Sequence, residues 1–110
     1  MEEKRLFSRF NISCNIAVTP NFRIVAFNAR LENIGEGGIR IVLRERLDIA
    51  TLLNLEISPL DERKSIICEG EVIWVNEKIT EEGNRSFYTG IKFTNISEED
   101  RAKIRSEWSI

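Results

Sequence analysis

Residues 32–38 read ENIGEGG, an acid and an amide followed by three glycines in four positions. On both sides the chain alternates apolar and polar residues with a period of two, the mark of half-buried β-strands. Upstream, FRIVAFNARLENI (residues 22–34) is a long run, apolar on both faces near Val25 and Phe27. Downstream, Ile39, Ile41 and Leu43 alternate with Arg40, Val42 and Arg44. The stretch is therefore a strand connection with more glycine than a hairpin needs. Glycine there serves either a flexible turn or a backbone surface that a ligand can approach closely.

Working outward, the same period recurs. Ile12, Cys14, Ile16 and Val18 form a first run ended by Pro20, and Leu53, Leu55 and Ile57 a fourth ended by Pro59. IICEGEVIWVN (66–76) is a fifth, in which Gly70 suggests a bulge or a close backbone contact. SFYTGIKF (86–93) is a sixth, with Phe87, Thr89, Ile91 and Phe93 on one face. The segment between the last two, EKITEEGNR (77–85), reads as a loop with a Gly83-Asn84 turn signal, and residues 44–50 read as a helical turn or a loop. Helical spacing appears at the end alone. Ser97 and Asp100 have capping-box spacing, acids fill the first turn, and Ile104 and Trp108 lie four apart on one face. The expected architecture is all-β: a six-stranded antiparallel barrel or sandwich with a C-terminal α-helix over 97–108.

The 110 residues are the length of one domain, and 42% hydrophobic with 31% charged residues suits a soluble fold with a packed core. No apolar run is long enough to span a bilayer, and MEEKRLFSRF at the start has no signal-peptide pattern. The expectation is a cytoplasmic protein that does not span the membrane. The chain contains no histidine, which removes the commonest general base and most transition-metal sites. Its acids cluster at a terminus, a loop and a helix start. Cys14 and Cys68 fall in strand-like runs and read as a reduced, buried pair without metal-ligand companions. No enzyme, metal site or cofactor is expected. A net charge of -2 and the placement of most aromatics on apolar strand faces also argue against an OB-type barrel for DNA or RNA.

Two short patterns carry binding chemistry. Arg5-Leu-Phe-Ser-Arg9 brings two guanidiniums to one side of an extended or helical segment. Such forks hold phosphate oxygens bidentately or stack on a planar base, although alone the pattern also suits a solvated tail. Asn33-Ile-Gly-Glu-Gly-Gly38 offers a side-chain amide and closely approachable backbone N–H groups.

In that order, the two patterns resemble the PilZ domain family, which pairs RxxxR before its first strand with [D/N]xSxxG after its second. GEVIWV, with Val72 and Trp74, is similar to a late family strand, and YTGIKFTNISEEDRAKI to its last strand and closing helix. The resemblance covers essentially the whole chain. It implies one domain over 1–110, a six-stranded β-barrel with an N-terminal arm over 1–10, that binds cyclic di-GMP. It further implies that Arg5 and Arg9 clamp phosphates and stack on guanine as the arm folds over the ligand. Asn33 would contact a base or backbone, and Gly38 would mark a position that must stay small.

One position departs from the family pattern. Gly35 stands where the motif has Ser, so a hydroxyl contact to the ligand is missing. A hydrogen bond to a charged group is worth about 1.5–3 kcal/mol, or roughly ten- to a hundredfold in affinity. Two functions follow from the resemblance: a cyclic di-GMP receptor that couples to an effector protein in motility or biofilm control, or a degenerate module that binds proteins without nucleotide.

Overall fold

The computed structural model describes residues 14–23, 26–60 and 64–108, without the side chains of the last two. Six antiparallel strands close into one barrel in the order β1-β2-β3-β6-β5-β4. They are β1 (Cys14–Pro20), β2 (Phe27–Ile34), β3 (Gly38–Leu43), β4 (Leu52–Pro59), β5 (Ile66–Ile79) and β6 (Arg85–Asn95). Closure is made by β1 on β4, from Cys14 opposite Pro59 to Pro20 opposite Leu53. Every strand thereby has two neighbours, which removes the exposed edges that strands this apolar would otherwise present.

The alternation read from the sequence fills the interior. Ile16 and Val18, Ile39, Ile41 and Leu43, Leu53, Leu55 and Ile57, then Ile66, Cys68, Val72 and Ile91 form one buried cluster. Gly70 fulfils both expectations for it. The register shifts between Glu69 and Gly70, and an added Cβ would lie 2.9 Å from Lys92 O and 2.5 Å from Ile91 Cγ2. Residues 44–50 are bends and turns, not helix, anchored by buried Leu47 and by Ala50 N–H donating to Val72 O at 2.8 Å.

Four expectations are corrected. The second run does not begin at Phe22, which is exposed in a turn where Arg23 N–H donates to Pro20 O. The fifth strand does not stop at Asn76. Glu77, Lys78 and Ile79 pair with Phe87, Ser86 and Arg85, so the loop shrinks to residues 80–84. These residues are exposed and show no period of two, because this end of the hairpin lies beyond the core. Cys14 is only half-buried, while Cys68 is buried; both are free. The closing helix is α1 (Glu98–Lys103), continued as a π-helical turn over Ile104–Trp108. Ser97 caps it as its spacing predicts, its Oγ accepting from Asp100 N–H at 3.0 Å. Ile104, fully buried, joins the barrel core and holds the helix on it.

Candidate functional site

Asn33, Gly35 and Gly38 belong to one turn. β2 and β3 are paired up to Ile34 opposite Ile39, with a register shift between Leu31 and Asn33. Such a bulge re-aims the side chains that follow it. Asn33, half-buried, turns its Oδ1 back to accept from Ile34 N–H at 2.9 Å. Its acceptor is thus used locally, and its Nδ2 donors have no partner among the described residues. What Asn33 can give a ligand is a pair of N–H donors.

The glycines differ in kind. At Gly38 an added Cβ would collide with the backbone oxygen of Ile91 and lie 3.2 Å from Lys92 Cα, since Gly38 pairs with Lys92 across β6. This position must stay small for packing, before any ligand is considered. At Gly35 and Gly37 an added Cβ meets nothing within 4 Å, and neither residue has positive φ. Serine would fit at position 35. Its absence is a chemical difference from the family pattern and not a demand of the backbone.

The turn is held from outside by the closing helix. Arg101 Nη1 donates to Glu36 O at 3.0 Å, and Arg105 donates from Nε and Nη2 to Glu36 Oε1 at 3.2 and 3.1 Å. Phe93 N–H donates to Gly37 O at 3.0 Å, tying the same turn to β6. The hydrogen bond that Arg105 donates to Glu36, followed by the charge of that carboxylate, raises the pKa of Arg105 above its ordinary value. These contacts neutralise a carboxylate that would otherwise repel an anion at the turn.

Beside the turn lies an outer barrel surface that the motif reading did not include. Arg40 stands opposite Asn33 on β2 and opposite Gly90 on β6, and Trp74 on β5 also stands opposite Gly90. The indole of Trp74 lies where a Cβ of Gly90 would be, yet the residue keeps 37% exposure. A guanidinium, ion-paired through Nε with Glu32 Oε1 at 3.4 Å, and an aromatic ring therefore flank the turn on one face. The outward placement of Arg40 was legible in the alternation of β3. The Trp74–Gly90 contact was not, because a bulge between Val72 and Trp74 shifts the register.

Arg5 and Arg9 lie outside the described residues. Neither thiol is activated by its surroundings: burial raises the pKa of Cys14, and burial with Asp100 and Glu69 pushes Cys68 up to about 12. Among the described residues no group of His, Cys, Asp or Glu is arranged to hold a metal ion.

Residues 3–107 match the family model of the PilZ domain. The chain belongs to the PilZ domain family. Solved PilZ-related structures share the fold. K. pneumonia MrkH in its apo state superposes with a TM-score of 0.75 at 16% identity, over 94% of this chain and 48% of that one. The PilZ domain of YcgR from Escherichia coli, solved with c-di-GMP, gives 0.66 at 16% identity over 92% and 86%. The Bacillus subtilis inhibitor of motility MotI/DgrA gives 0.62 at 20% identity over 92% and 47%. This PilZ chain thus spans about half the length of MrkH and MotI/DgrA. No curated protein matches its sequence.

Proposed function

We propose that this PilZ domain is a receptor for cyclic di-GMP that passes the signal to an effector protein, and that it is not an enzyme. The observation that carries the reading is the β2–β3 turn. It presents two Asn33 N–H donors, without a partner among the described residues, beside Arg40 and Trp74, over a Gly38 pressed against Ile91. Guanine offers O6 and N7 as adjacent acceptors, which suit those donors, and Trp74 and Arg40 suit a planar, anionic neighbour. Arg5 and Arg9 supply the phosphate clamp in this proposal. The E. coli domain solved with c-di-GMP supports the ligand class by likeness of fold. No helix among the described residues is long and apolar enough to cross a membrane. We place the receptor in the cytoplasm, as one domain over 1–110 with its arm over 1–10, acting in motility or biofilm control.

Calorimetric titration with cyclic di-GMP tests this. Saturable binding is expected, weakened at least about tenfold by Arg5→Ala or Arg9→Ala, since each removes a charge-assisted fork. No heat at several hundred micromolar ligand, with the protein folded, contradicts it. The specific observation favouring a nucleotide-free interaction module is Gly35, which lacks the motif hydroxyl although the turn has room for it. That second reading predicts a protein partner whose binding is unchanged by both arginine variants.

A further inference from the structure

The far end of the same barrel face holds a second concave surface. A cleft of about 530 Å³ opens between β2, β3 and the start of β6, lined by apolar Phe27, Val42 and Leu43 and by polar Asn28, Arg30, Arg44 and Ser86. Arg44 is six residues along the chain from Gly38, which at about 3.3 Å per residue puts the two roughly 20 Å apart. Its near edge, Arg30 and Val42, lies next to Arg40 in the same ladder, and from there the cleft runs away from the β2–β3 turn.

Its charge is one-sided. Arg30 lies opposite Val42 in the β2–β3 ladder, so Arg44, two residues on, is its diagonal neighbour. Long side chains in that relation reach a common point. Both are exposed, and neither has an ion pair or hydrogen bond among the described residues. The carboxylate that also lines the cleft, Glu45, is held by Arg23 Nη2 at 2.8 Å. Two arginines without counter-ions among the described residues, beside an apolar lining, are unexpected on a chain of net charge -2. Two forks converging on one point match a carboxylate bidentately.

The aromatic rings here each carry a cation over one face. Arg23 lies over the Phe27 ring at 4.4 Å, and Lys78 over Tyr88, the neighbour of Val42 on β6, at 4.5 Å. A nucleotide would find anion contacts, but the Phe27 face toward Arg23 is already taken. An apolar side chain would find Val42 and the edge of Phe27, while Asn28 and Ser86 can bond a peptide backbone.

We propose that this cleft docks an acidic peptide segment of a partner protein. Arg30 and Arg44 grip a Glu or Asp carboxylate, and an adjoining apolar side chain rests on Phe27 and Val42. The site needs no nucleotide, so its test is independent of the cyclic di-GMP reading.

The probe is acetyl-Phe-Glu amide, added to isotope-labelled protein and followed by amide chemical shifts. Saturable shifts at low millimolar probe are expected, confined to Asn28, Arg30, Arg44, Ser86 and their neighbours. The neutral acetyl-Phe-Gln amide, and the Arg30→Gln/Arg44→Gln variant, should each bind at least about fivefold more weakly. Both arginines are exposed, so the variant's spectrum should overlay that of the wild type elsewhere. Three results overturn the proposal: shifts that do not saturate, shifts unchanged in the variant, or inorganic phosphate saturating the cleft where the peptide does not.

Discussion

The barrel carries two glycine-bearing hairpin turns at opposite ends, and they are stabilised by different means. The β5–β6 turn closes on itself. Thr80 N–H donates to Asn84 O, Gly83 N–H donates to Thr80 O, and Asn84 N–H donates to Thr80 Oγ1. Gly83 takes φ 89, a left-handed backbone that only glycine adopts without strain. The β2–β3 turn has one bond across it, from Gly35 N–H to Gly38 O, and a local one from Ile34 N–H to Asn33 Oδ1. Its other supports come from β6 and the closing helix, and no glycine in it has positive φ. One turn needs its glycine for shape. The other contains two glycines that its shape does not require, in the place where the family pattern puts a ligand contact. Glycine-rich stretches that look alike as letters are thus distinguished by φ and by what an added Cβ would meet.

Substitutions at each glycine sharpen the contrast. The largest effect is expected at Gly38→Ala, whose methyl collides with the backbone of Ile91 and must push β3 from β6. It should cost about 2–4 kcal/mol, read as a loss of more than about 8 °C in Tm. Gly83→Ala meets no atom but strains φ, and should cost about 1–2 kcal/mol. Glu36→Gln removes the ion pair of an exposed latch, and should lower Tm by about 1–4 °C while speeding amide exchange in α1. Gly35→Ser should leave stability within about 0.5 kcal/mol, because its side chain enters open space. An unchanged Tm for Gly38→Ala, or a collapse for Gly35→Ser, would reverse the assignment of the two kinds of glycine.

The interior was legible because period-two alternation follows from strand geometry. Ile39, Ile41 and Leu43 could be placed inward without knowing their partners. The end of β5 was not, because Glu77, Lys78 and Ile79 are exposed and carry no period; pairing with β6 alone makes them strand. Within the site, Asn33 and Gly38 were readable as a motif. The Glu36 latch was not, since its arginines lie 65 and 69 residues away and meet it only once the helix docks through Ile104. Arg40 was placed outward by pattern, but its neighbour Trp74 depends on a bulge that no alternation announces. The contribution of Arg5 and Arg9 falls outside the described residues and rests on the family motif.

The central claim is that the β2–β3 turn still holds cyclic di-GMP, with the missing hydroxyl at position 35 weakening the hold. Titration of wild type and Gly35→Ser with cyclic di-GMP under identical salt tests it most directly. The account predicts saturable binding by both proteins, tighter in Gly35→Ser by roughly tenfold or more. Absence of binding by both folded proteins would contradict it.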